Sequence, residues 1–190
     1  MKSIVVTIMA IALSGAGVGT LSAQQRSDNR VAAITDWSVF VESDPTTCWS
    51  VSSPKESVNT RDGRVTAVNR GDILLFVSFV PSQGASGTKG QVAFTGGYKF
   101  RKGSTVKMTI DGQEFELFTV GEDDPATSQY REDEFAWVES ASDDAKIISA
   151  MKRGATAKLS AVSSRGTNTN DTFSLLGFTA ALEEASKRCQ

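Results

Sequence analysis

Thr105-Val106-Lys107-Met108-Thr109-Ile110-Asp111-Gly112-Gln113-Glu114-Phe115-Glu116-Leu117-Phe118-Thr119-Val120 is the stretch that decides the fold. Two alternating segments flank Asp111-Gly112. That dipeptide favours a type I′ turn, because both of its central positions need positive φ. In the second segment Phe115, Leu117 and Thr119 fall on one face, which must be at least half buried. The stretch therefore predicts an antiparallel hairpin, and the rest of the chain repeats its pattern of short strands and turns.

Upstream, Ile73-Leu74-Leu75-Phe76-Val77-Ser78-Phe79-Val80 is the most apolar run outside the N-terminus. Its β-branched and aromatic content predicts a central strand buried on both faces. Strands are also expected at Trp37 to Val41 and Cys48 to Ser52, around an Asp44-Pro45 turn, and at Arg64 to Val68 after Asp62-Gly63. Gln91 to Thr95 follows a glycine-rich loop, Gly84 to Gly90. Downstream, Phe135 to Val138, Ala155 to Val162 and Thr172 to Leu176 read as strands, the last two around Arg165-Gly166-Thr167.

Two helices interrupt the strands. Ser140 is an N-cap with Asp143 three positions on, Ile147, Ile148 and Met151 form an apolar stripe, and Gly154 follows Lys152-Arg153. Phe178, Leu182, Ala185 and Cys189 share one face of a C-terminal helix. The expected fold is mainly β: a single antiparallel β-sandwich or barrel-like domain over 36–190, with two short helices, one at the C-terminus.

The N-terminus carries targeting information. Met1-Lys2-Ser3 precedes an apolar run from Ile4 to Leu13, then small residues ending in Leu21-Ser22-Ala23. This is the pattern of a signal peptide over 1–23, cleaved after Ala23, and it competes with a retained anchor or a core helix. Residues 24–35 are polar at first and are expected to form a flexible arm. No second segment of the mature chain is apolar enough to span a bilayer. Export places the chain in the periplasm, on the cell surface or outside the cell. In that compartment Cys48 and Cys189, the only two cysteines, are expected to form a disulfide.

Composition excludes more than it assigns. With 190 residues, the chain is too short for a TIM barrel or a two-domain dehydrogenase. It has no histidine, which removes Ser-His-Asp and Cys-His nucleophile systems and His-ligated metals. Twenty basic against 22 acidic residues argue against a nucleic-acid surface. An acid-pair glycosidase needs no histidine and stays open.

Several motifs each admit a functional and an ordinary reading. Arg70-Gly71-Asp72 is an adhesion tripeptide if displayed on a loop tip, and otherwise a turn before the apolar strand. Glu122-Asp123-Asp124 and Glu132-Asp133-Glu134 offer carboxylates for Ca²⁺ but lack calcium-loop spacing, and charge runs are usually solvated. Gly84 to Gly90 contains Lys89 but not the phosphate-loop pattern. Ser163 to Thr172, dense in hydroxyls and amides around Arg165, suits either a sugar or peptide ligand or turn-stabilising bonds. An exposed aromatic patch near Trp49, Tyr98 or Trp137 would mark a binding module.

Taken in order, Trp37 to Val39, Cys48-Trp49, Asn69 to Asp72, Thr95 to Tyr98, Asp143 to Lys146 before Ala150 to Gly154, Ser163 to Thr167, and Asp171 to Leu182 resemble the invasion-associated locus B family of exported bacterial proteins. The likeness spans nearly all of the mature chain, and the C-terminal block is its most specific part. It implies an exported, non-enzymatic envelope or surface protein that acts by binding, with some relatives linked to entry into host cells. The implied partner is an unidentified envelope or host protein, with no cofactor, catalytic residue or metal transferred. The alternative is a periplasmic stress or assembly factor with chaperone-like action. Many members carry a cysteine shortly after the first tryptophan-containing strand, where this chain has Phe40 and Val41.

Overall fold

The structure is a computed structural model that describes residues 29–85, 87–119 and 132–190, with only the backbone of Glu132. The expected signal peptide, its cleavage point and Glu122-Asp123-Asp124 lie outside the described residues. The described strands are β1 (Arg30–Ile34), β2 (Trp37–Ser43), β3 (Thr46–Ser52), β4 (Glu56–Arg61), β5 (Arg64–Val65), β6 (Leu74–Phe79), β7 (Gln91–Thr95), β8 (Thr105–Ile110), β9 (Gln113–Thr119), β10 (Phe135–Trp137), β11 (Thr156–Val162) and β12 (Asn168–Ser174). Helix α1 (Ala141–Arg153) precedes β11, and α2 (Phe178–Arg188) closes the chain.

The strands form one antiparallel sheet in the order β1-β2-β3-β6-β7-β10-β9-β8-β11-β12-β4-β5. Remote strands of this order meet. Trp37 of β2 donates its indole N–H to the Ser174 carbonyl at the end of β12, 3.0 Å away. Phe94 of β7 meets Phe173 of β12 edge-on, with ring centroids 6.1 Å apart. The sheet therefore rolls over on itself, in a sandwich-like arrangement around one core.

That core is built by period-two alternation. Val106, Met108 and Ile110 of β8 face Leu117 of β9, and Leu75, Val77 and Phe79 of β6 face Val92 and Phe94 of β7, all buried. Between β8 and β9, Asp111 and Gly112 take φ of 48° and 85°, as the type I′ turn requires. On α1, Ser140 caps the Asp143 N–H, and Ile147, Ile148, Ala150 and Met151 are buried. Gly154 ends it with an extended backbone, φ −82°, rather than the left-handed one usual for glycine there. On α2, Phe178, Ala181, Leu182 and Ala185 are buried, and Phe178 packs 4.8 Å from the Trp37 ring. Each large side chain removed from water in this way contributes about 1.5–3 kcal/mol. Just past α2, Cys189 is joined to Cys48 of β3, with Cα atoms 5.8 Å apart.

Four expectations need correction. Within the arm expected over 24–35, Arg30–Ile34 form β1, which pairs along β2 and turns Ala32 and Ile34 toward the core. The run Ile73 to Val80 is buried on one face only. Leu75, Val77 and Phe79 point inward, whereas Leu74, Phe76 and Ser78 stay half-buried, because among the described residues no second layer covers the outer face there. The strand expected over Arg64 to Val68 stops at Val65, where its short pairing with Thr60 and Arg61 ends. β4, with the sequence Glu56-Ser57-Val58-Asn59-Thr60-Arg61, carries no apolar alternation and is held by its ladder to β12. β12 itself starts at Asn168, so half of the hydroxyl-rich segment is strand.

Candidate functional site

The adhesion tripeptide is the place where the polar residues of the molecule converge. Arg70 does not project into solvent; its side chain is 6% exposed and Asp171 beside it is fully buried. The guanidinium donates two parallel bonds to Asp171, Nη2 to Oδ2 at 2.6 Å and Nη1 to Oδ1 at 2.8 Å. Its Nε donates to the Gly96 carbonyl at 2.8 Å, and Nη1 also reaches Asn59 Oδ1 at 3.2 Å. Ser57 donates to Asp171 from β4, at 2.7 Å. The guanidinium lies 5.0 Å from the centroid of the Tyr98 ring. Such a bidentate pair with its remaining positions filled is how a buried charge is tolerated.

The backbone at Gly71 is fixed from the other side. Its N–H donates to the Gly97 carbonyl at 2.8 Å, and a Cβ on Gly97 would sit 2.5 Å from the Gly71 carbonyl oxygen. Gly97 also holds φ at +70°. The tripeptide is thus neither a displayed loop tip nor the turn that was expected, but an irregular segment buttressed by its neighbours, with Asp72 as its one exposed charged member.

Above this floor lies a cleft of about 510 Å³, lined by β4, the loop after β7 and the turn between β11 and β12. Ser163 and Thr167 close that turn. The Ser163 N–H donates to the Thr167 carbonyl at 2.9 Å, and the Thr167 N–H donates to Ser163 Oγ at 3.0 Å. Arg61 Nη2 reaches Thr167 Oγ1 at 2.7 Å. Thr169 is hydrogen-bonded to the Tyr98 hydroxyl, whose pKa burial pushes up to about 12, so the phenol is neutral and serves as a hydrogen-bonding group rather than a base. Arg165 and Glu134 sit on the rim, and Lys99 beside them is paired with Asp133. The expected Ser163–Thr172 segment therefore contributes both turn-stabilising bonds and the lining of a cleft. It is equipped to bind, through guanidinium and hydroxyl donors.

The expected aromatic residues are not one patch. Tyr98 lies under Arg70 in the cleft floor. Trp49 and Trp137 stand on the outer face of the sheet, opposite the buried Cys48 and Ala136. Phe40 and Trp49 are stacked, centroids 5.6 Å apart and planes 6° from parallel. Phe76 lies 6.2 Å from Phe135, which stacks on Trp137 at 5.8 Å. Trp137 is the cross-strand partner of the exposed Phe118. A second, shallower depression of about 700 Å³ borders this band at Phe40, Trp49 and Phe76, with Arg30, Asp36, Lys55 and Asp72 around it.

The remaining motifs carry less. Lys89 is exposed in a loop that leads into β7, not into a helix. Asp133 is engaged with Lys99, and among the described residues no group of three or more acidic or cysteine side chains is placed to hold a metal ion. No described helix is long and apolar enough to cross a membrane.

Sequence reasoning missed Arg61 and Asp171 as parts of the polar site. For Asp171 the signal was present: Thr169, Asp171 and Phe173 share one strand face, and a carboxylate two residues before a core phenylalanine must find a cation. Asp144 was missed as well. Buried at the start of α1, it accepts the Val92 N–H at 2.8 Å, beyond the point where the short β10 stops pairing with β7. Burial pushes its carboxyl up to about 6, against the lowering effect of that N–H, with neighbouring Asp143 adding a smaller push.

A sequence model of the family described as "Invasion associated locus B (IalB) protein" matches residues 37–186, from the first residue of β2 into α2. No curated protein gives a significant match. Among solved structures, invasion associated protein B from Bartonella henselae is similar in fold, with a TM-score of 0.50 and 16% identity, over 81% of this chain and 94% of that one.

Proposed function

The chain belongs to the invasion associated locus B family, and from this premise we propose that it is an exported protein of the bacterial envelope or surface that acts by binding rather than by catalysis. The observation that carries this reading is the cleft over Arg70 and Asp171. Its floor is locked by a completed hydrogen-bond set, while its rim offers guanidinium and hydroxyl groups directed at whatever occupies it. A rigid floor with donors on its rim favours recognition, because little ordering cost falls on binding. Export is supported by the N-terminal sequence pattern, by the family, and by a disulfide that suits an oxidising compartment. Entry into host cells enters this reading only through the family and its Bartonella relative, and makes the partner a component of the envelope or of a host surface.

Protein recovered from its native envelope should begin at or near Gln24 and should sediment saturably with envelope or host-cell membranes. A product that retains Met1, or one that sediments in proportion to added protein without saturating, overturns this reading. The outer aromatic band favours a second reading, an assembly factor that shields unfolded exported chains. Suppression of aggregation of a reduced, unfolded test protein, lost in Trp49→Ser, would select it.

A further inference from the structure

Three arginines meet at the turn between β11 and β12. Arg165 is part of that turn, and Arg61 is bonded to its Thr167 hydroxyl. Arg101 Nη2 lies 3.4 Å from where a Cβ on Gly166 would stand. Among the described residues none of the three has a carboxylate partner, in a chain whose acidic residues outnumber its basic ones. Arg61 is moreover the direct cross-strand partner of Arg64. Like charges placed opposite each other in a two-strand ladder are destabilising. An arrangement that costs stability and, among the described residues, leaves these guanidiniums outside any ion pair is the mark of a site that takes an external anion.

The rest of the cleft narrows the class of anion. Ser163 and Thr167 are buried in its wall, and each hydroxyl has a proton to donate beyond the bond it accepts. Glu134 on the same rim offers carboxylate oxygens that can accept hydroxyl protons. Hydroxyl donors and acceptors around an arginine pair match a sugar that carries an acid group. A cleft of about 510 Å³ is large enough for a short oligosaccharide. Resting on the binding reading above, we propose that this cleft takes an anionic oligosaccharide, its acid group held by Arg61 and Arg165 and its hydroxyls by Thr167, Ser163 and Glu134.

The test is calorimetric titration of the exported, disulfide-bonded protein with trigalacturonate, with its fully methyl-esterified form, and with inorganic phosphate. The acid trisaccharide should bind at least about ten-fold more tightly than the ester, and more weakly as salt is raised. Arg165→Gln, at an exposed side chain, should weaken it about ten-fold with thermal stability unchanged, and Arg165→Lys should recover part of the loss. Arg61→Gln should act in the same direction. Equal affinity for acid and ester, or unchanged affinity in Arg165→Gln, overturns the proposal. Phosphate binding as tightly as the trisaccharide overturns the saccharide assignment. If these fail while the protein still sediments saturably with envelope or host membranes, the ligand class falls and the binding reading stands.

Discussion

The flank of the sheet that carries α2 and the flank that carries β4 are held by opposite chemistry. Under α2 the contacts are apolar and covalent: Trp37 on Phe178, Leu182 and Ala185 in the core, and the Cys48–Cys189 bond at the end. At β4 the strand has no apolar stripe. Its attachment is the backbone ladder to β12 plus a buried ion pair fixed by Asn59, Ser57 and the Gly96 carbonyl. Apolar packing is non-directional and forgives small shifts, whereas the Arg70–Asp171 set works only in one geometry. The flank that needs a defined geometry is the one that shapes the cleft.

Removing one partner from each flank tests this contrast. Asp171→Ala leaves the Arg70 guanidinium buried without its counter-charge and should cost about 4 kcal/mol, read from the urea midpoint. A loss under about 1 kcal/mol would mean that the ladder alone holds β4. Cys48→Ala with Cys189→Ala should cost about 3 kcal/mol, because the bond closes a long loop in the unfolded chain. Limited proteolysis should then cut the C-terminal helix first and leave the cleft intact. Cleavage beginning at β4 instead would show that the two flanks are not independent.

Asp144 sharpens the comparison, since it is a buried carboxylate that pairs with no cation among the described residues. Its folded-state pKa, about 6 against an ordinary 3.8, means the folded protein takes up this proton before the unfolded chain does. Stability should therefore rise as pH falls from 7 through 6 toward 4, by about 1–2 kcal/mol from this group. Asp144→Asn keeps an oxygen for the Val92 N–H and should flatten that dependence. A rise that persists in the variant would place its origin elsewhere.

Gly112→Val puts a β-branched residue at φ +85° and should cost about 1 kcal/mol or more by thermal unfolding, without affecting either flank selectively. Smallest of all, Asp72→Glu should change neither stability nor attachment to host cells, since Arg70 is committed to Asp171. Loss of attachment with the fold intact would restore the adhesion reading.

The hairpin around Asp111-Gly112, the Ser140 cap and the apolar stripes of both helices were legible because each is enforced within a few residues, by φ preference, by a capping hydroxyl or by a repeat of period two or 3.6. Two cysteines left one pairing to make. Failures of the reading began where a residue's environment lay far along the chain. Leu74 and Phe76 look as buried as Leu75 and Val77, and only the side of the sheet on which the core lies separates them. β4 has no pattern of its own and exists because β12 offers a ladder.

The sequence by itself determined an antiparallel β fold with two helices, the first of them capped, an export-type N-terminus and a cysteine pair, since composition, period and turn chemistry are properties of neighbouring residues. Tertiary structure decided what the polar residues are for. Arg70 and Asp171 become partners only when the loop after β5 crosses β12, and Arg61, Arg101 and Arg165 gather at one turn only through the order of the strands. Charge acts through space, and the distances that decide it are set by which strands pair, not by position along the chain.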